Sequence, residues 1–200
     1  MSLSAAEPFP LSVEQYLAMA RQGILGPEDR VELLEGVLVA KMSKGPPHLD
    51  AVYRLFQAFL VAVGPGWVVN KEDPIVAGDS MPEPDLAVLR GPRATYANRL
   101  PRAIDAALVV EVSDASLARD RIDKKRIDAR AGIPIYWIAN LAAGRFEVYS
   151  DPTGPVGPGD TPDYRTRLDY ASGDQIALVL DGVAIADWPA SELLPSPPTG

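Results

Sequence analysis

Two carboxylates in this chain stand where a carboxylate needs a reason. Glu111 lies inside the apolar run ALVVEV, and Asp85 heads the short apolar run DLAVL. An unpaired buried carboxylate costs several kcal/mol or takes up a proton. If the two runs are consecutive antiparallel strands, the start of the first lies beside the end of the second. Asp85 and Glu111 then meet at one edge of a sheet. Two such groups repel, and one holds a proton unless a cation lies between them. Oxygen ligands with an open face suit Mg²⁺ or Mn²⁺.

Three further residues could join this pair. Asp120, Lys124 and Asp128 recur at i, i+4 and i+8, so on a helix they share one face. A lysine a turn or two beyond Glu111 reaches back toward the carboxylates. It would supply positive charge for an attacking water or a developing phosphorane-like charge. The same spacing also describes a surface salt bridge of little worth. Glu32, between Val31 and Leu33, is either a further acid of the site or the solvent-facing residue of an alternating strand. His48 is the only histidine. It sits in a Pro-rich turn just before an amphipathic helix, where it caps, lies on the surface, or serves as an acid or base near neutral pH. Glu111 itself has a competing explanation, a buried salt bridge to a nearby arginine.

The elements that must position these residues follow from patterning. LSVEQYLAMARQG reads as a helix with Ser12 as N-cap and Gly23 as its stop. RVELLEGVLVAKM reads as a hairpin turning at Glu35-Gly36. Val52, Leu55, Phe56, Phe59, Leu60 and Val63 form a wide apolar stripe on a helix that stops at Gly64. WVVNKE, DLAVL and Ala106 to Val112 are strands, the last two separated by an arginine-bearing connector. SLARDRIDKKRIDARAG is a charged helix ending at Gly132. IPIYWIAN, RFEVYS, YRTRLDY and QIALVL are strands, and ADWPASELL is a short terminal helix. The crossover from Val112 to Ile135 requires at least one parallel strand pair. The expectation is an α/β fold of about eight strands and three or four helices. It comprises an N-terminal segment 1–11, one domain over 12–194, and a flexible Pro-rich tail 195–200.

Composition narrows the chemistry. The chain of 200 residues has no cysteine, which excludes disulfides and thiolate catalysis, and a single histidine leaves zinc poorly served. A cytoplasmic location is the default. No signal peptide and no membrane span are visible. A net charge of −8 argues mildly against tight nonspecific nucleic-acid binding, but suits carboxylates gathered around a cation.

The segments VELLEGVL, GPPH, PEPDLAVL, LVVEVSDASLARDRIDKK, ARAGIPIYWIAN and RFEVY, in this order, closely resemble the restriction endonuclease family called Uma-two, placed in the PD-(D/E)XK nuclease superfamily. The resemblance runs from about Ser12 to Leu194. It implies a restriction-endonuclease-like core, a mixed central β-sheet flanked by helices, with Mg²⁺-dependent phosphodiester hydrolysis as its chemistry. It places Asp85 and Glu111 as acidic metal ligands, Lys124 as the helix lysine, and Glu32 and His48 at the acidic and histidine positions of the earlier segments. Asp120 matches the aspartate four residues ahead of the lysine. Two positions depart from the pattern. Ser113 stands where the superfamily has a lysine, so Lys124 would substitute from the helix. Asp128 stands where the family often has tyrosine.

The leading expectation is a divalent-metal-dependent endonuclease acting on DNA. Mg²⁺ or Mn²⁺ would be held by Asp85, Glu111 and a backbone carbonyl near Val112. Lys124 would orient water or stabilise charge, Glu32 would hold a second metal or its water, and His48 would contact phosphate or relay a proton. Cleaving both strands of a duplex often uses two sites, so a homodimer is expected, although no seam is visible. The alternative is a nuclease-fold module that binds DNA or a partner without cutting. A metal-free glycosidase pair is a third reading, disfavoured because no aromatic platform accompanies the carboxylates.

Overall fold

The computed structural model describes residues 9–26 and 28–195. The expected segment 1–11 and tail 195–200 therefore lie for the most part outside the described residues.

At the centre is a six-stranded sheet built in chain order. Its strands are β3 (Trp67–Lys71), β4 (Leu86–Arg90), β5 (Ala106–Ser113), β6 (Ile135–Asn140), β7 (Arg145–Pro152) and β8 (Tyr164–Ala171). Only β5 and β6 pair in parallel. This is the pair that the crossover after Val112 demands. β5 is buried at every position, which is why its apolar residues form a run rather than an alternation.

Each face of the sheet has its own cover. On one face α2 (Pro46–Ala62) lays Val52, Leu55 and Phe59 against Val88, Leu108, Val110 and Trp137. That face also carries the hairpin of β9 (Gln175–Leu180) and β10 (Val183–Pro189), closed by α5 (Ala190–Leu193). On the other face Ile127, Ala129 and Ile133 pack on Val109, Tyr136, Ile138 and Tyr149, with Leu34 beside them. Leu34 comes from the separate hairpin of β1 (Val31–Leu34) and β2 (Val37–Ala40). The first helix, α1 (Val13–Arg21), starts at a capping box in which Ser12 and Gln15 exchange hydrogen bonds, and it packs Tyr16 beside Leu33.

Three expectations about elements need correction. ADWPASELL is not a helix throughout. Its first half belongs to β10, and only Ala190–Leu193 is helical. The missed signal is Asp181-Gly182, whose φ values of 48° and 79° make a tight hairpin turn. His48 is not ahead of its helix. The helix begins at Pro46, because proline suits a first-turn position whose N–H has no partner, and His48 lies in that first turn. The charged helix is not one uniform α-helix. It runs as α3 (Leu117–Arg119), a π-helical turn (Asp120–Lys124) and α4 (Lys125–Arg130), ending near Gly132 at φ 75°. Wide turns of this kind are rare and often mark functional sites.

Candidate active site

Alternation along β5 decides where Glu111 goes. Val110 and Val112 point into the α2 side of the sheet, so Glu111 shares the opposite face with Val109. Antiparallel pairing sets Leu86 opposite Val110, which brings Asp85, just ahead of β4, level with Glu111. A cleft of about 710 Å³ opens at the ends of these two interior strands. Asp85, Glu111, Glu32, His48, Asp120 and Lys124 all line it.

Lys124 reaches the pair from the π-helical turn. Its ammonium donates to Glu111 Oε1 at 2.9 Å and lies 3.3 Å from Glu32 Oε2. All three residues are buried. Glu32 is therefore not solvent-facing, Lys124 is not a surface ion pair, and the partner of Glu111 is a lysine rather than an arginine. Glu32 also accepts the Glu83 N–H at 3.3 Å. It arrives on β1, whose partner β2 sets Glu32 opposite Val39.

Asp85 is held by a second set. Its Oδ2 accepts the Val112 N–H at 2.8 Å, while Oδ1 faces Lys44 Nζ at 2.8 Å and His48 Nε2 at 3.0 Å. Burial works to raise its pKa. The bonds and charge of His48 and Lys44 outweigh it and hold the carboxyl at about 2. Asp85 is thus ionised, and His48 is a buried partner rather than a surface cap.

Glu111 has the opposite problem. Burial pushes its carboxyl well above the usual range. Lys124 pulls it back, but Asp120, Asp85 and Glu32 crowd it with negative charge. Glu111, with Glu32 and Asp120, keeps the Lys124 ammonium charged despite its burial. Ser113, where a lysine would fit the superfamily pattern, donates instead to Asp120 Oδ2 at 2.6 Å, as does Ser116 at 2.6 Å. The Tyr136 hydroxyl donates to the Asp120 carbonyl at 3.0 Å and ties the wide turn to the sheet.

Lys44 carries no signal in the sequence. It lies in the irregular stretch between β2 and α2, and its partners Glu72 and Asp85 are 28 and 41 residues away. Lys41, paired with Glu83, is a similar case. Four buried carboxylates (Glu32, Asp85, Glu111 and Asp120) thus share two ammonium groups, of which Lys44 also pairs with Glu72. Among the described residues no three carboxylate or imidazole groups form a ready-made metal cluster. The donors that fit a hard divalent ion are the ionised Asp85 and the charge-starved Glu111.

The family description "Putative restriction endonuclease", Uma2, matches residues 13–181. The chain belongs to the Uma2 family. Its fold is shared by the crystal structure of a putative nuclease belonging to DUF820 from Anabaena variabilis. The TM-score is 0.66 at 15% identity, covering 92% of this chain and 97% of that one. No curated protein matches. Among the described residues of this Uma2 protein, no helix is long and apolar enough to cross a membrane.

Proposed function

We propose that this Uma2 protein is a divalent-metal-dependent endonuclease that hydrolyses phosphodiester bonds of DNA. One observation carries the reading. Asp85 and Glu111 stand level on the same face, at the start of β4 and near the end of β5, with a buried lysine bonded to Glu111. Asp85 and Glu111 would hold Mg²⁺ or Mn²⁺, together with the Val112 carbonyl. The Val112 N–H faces Asp85, and in an extended strand the carbonyl of the same residue faces the same side. When bound, the ion polarises the phosphate and makes water more acidic.

The protein's own groups do the rest. Lys124, charged and fixed between Glu111 and Glu32, is placed to orient water and to offset negative charge at the phosphate. Glu32 holds Lys124 in place and is a candidate for a second ion or its water. His48 orients Asp85 and is near enough to the cleft to pass a proton or touch phosphate. The cleft's excess of carboxylates favours cation entry, and the cysteine-free chain suits a cytoplasmic location. A homodimer would present one cleft to each strand of a duplex.

The test is cleavage of duplex DNA with and without Mg²⁺. Asp85→Ala and Glu111→Ala should each lower the rate by about 100-fold or more, since a metal supplies several kcal/mol of charge stabilisation. Undiminished cleavage by both variants would overturn the assignment. A second reading, a nuclease-fold module that binds DNA or a partner without cutting, is favoured by Ser113 and by the lysines already seated on both carboxylates. Failure of the wild type to bind Mn²⁺ at millimolar concentration would favour it.

A further inference from the structure

Five basic side chains line the cleft: Arg30, Lys41, Lys44, Arg119 and Lys124. The lysines are committed to carboxylates, Lys41 to Glu83, Lys44 to Asp85 and Glu72, and Lys124 to Glu111 and Glu32. The arginines are not. Among the described residues neither Arg30 nor Arg119 forms an ion pair; Arg30 is exposed and Arg119 is half-buried. Each instead donates one N–H to a backbone carbonyl of the stretch leaving β2. Arg30 Nη2 bonds Met42 O at 3.3 Å, and Arg119 Nη1 bonds Ala40 O at 2.8 Å. Two acids, Asp29 and Asp114, also reach the wall. Asp29 accepts the Gly26 N–H at 2.8 Å, and neither pairs with an arginine.

The cleft therefore separates paired cations from unpaired ones. Its lysines are all paired with acids, while its two guanidinium groups, on the outer wall beside the exposed Asp29 and Asp114, keep most of their donors free. A guanidinium presents a planar fork of N–H groups that matches phosphate oxygens, and a bond to a carbonyl reduces the freedom lost on binding. The chain as a whole is acidic, at −8. Attraction for a polyanion must then come from local unpaired cations.

We propose that Arg30 and Arg119 form the phosphate-binding pair of the cleft, each holding a backbone phosphate of the DNA whose scissile bond lies over Asp85 and Glu111. This inference rests on the nuclease reading. It assigns positioning residues that the spacing of acids and lysine does not reveal.

Binding of a fluorescent DNA duplex, followed by anisotropy in Ca²⁺ as salt rises, tests it. Each phosphate contact removed should lower the slope of log K against log[salt] by about 0.9. Arg30→Gln and Arg119→Gln should each show that loss and the double variant about 1.8, while Arg30→Lys and Arg119→Lys keep the wild-type slope. Arg165→Gln, which replaces an arginine outside the cleft paired with Asp151 at 3.1 Å, should change nothing. Unchanged thermal midpoints would show that the variants fold. A wild-type slope in both glutamine variants would overturn the assignment of the arginines, and so would absence of DNA binding by the wild type. Mn²⁺ titration of the same proteins separates the two proposals. If Mn²⁺ binds normally while the slopes stay fixed, only the arginine pair fails. If the wild type binds neither Mn²⁺ nor DNA, the nuclease reading fails with it.

Discussion

Asp128 is 3% exposed, and burial pushes its carboxyl up to about 7, with Lys124 opposing and Glu32 adding to the rise. A group with a raised folded pKa binds its proton more tightly in the native state. Its contribution to stability is full below the unfolded value of 3.8 and is lost as pH rises through about 7. Asp128→Asn cannot ionise, so it should be more stable than the wild type at about pH 8 and converge with it toward about pH 4. Urea unfolding across this range reads the effect, and parallel profiles would contradict it. Lys124→Ala should be harsher. It leaves Glu111 and Glu32 buried without their common cation, a loss of about 3–5 kcal/mol in unfolding free energy at neutral pH. At this scale the sequence was informative about Glu111, because a charge inside an apolar run has few explanations. It was silent about Lys44, whose role depends on contacts far along the chain.

The β1–β2 hairpin matters because it carries Glu32 to Lys124. Its turn is fixed from several sides. Glu35 and Gly36 have φ of 49° and 76°. Burial works to raise the Glu35 pKa, but bonds from Arg126 and Arg130 hold it below the usual range. Those bonds tie the hairpin to α4. Ser80 Oγ accepts the Glu35 N–H at 2.8 Å. A Cβ on Gly36 would fall 2.6 Å from Pro10 Cβ, in a conformation alanine disfavours. Gly36→Ala should therefore cost more than about 1 kcal/mol, measured by denaturant unfolding, and an unchanged midpoint would refute this account of the turn. The hairpin, the antiparallel pairing of β4 with β5, and the parallel β5–β6 crossover were all legible, because turn residues and apolar runs encode them locally. The π-helical turn was not. Its sequence has ordinary helical spacing, and the Tyr136 bond to the Asp120 carbonyl that accompanies the wide turn is a tertiary contact. β10 was obscured because Trp188 and Pro189 run directly into helical residues.

For the molecule as a whole, buried acids set the response to pH. Glu147 is fully buried and accepts bonds from Arg121, Asn140 at 2.9 Å and Tyr149 at 2.7 Å. Burial opposes its charge, but those bonds and Arg167 lower its pKa to about 2. The resulting stability is present above the ordinary value of 4.5 and is lost as pH falls toward 2. Glu147→Gln should show a shallower decline over that window in acid unfolding monitored by circular dichroism, and an equally steep one would contradict the assignment. Arg121 lies in the π-helical turn, so this network also ties β7 to the segment that delivers Lys124. In the cleft the balance is different, because four buried carboxylates share the ammonium groups of Lys44 and Lys124. The most direct test of that account is anomalous scattering from crystals soaked in Mn²⁺. The predicted result is a peak bound by Asp85 and Glu111 that disappears in Glu111→Gln. A cleft that stays empty at millimolar Mn²⁺, or a peak held by other residues, would contradict the central claim.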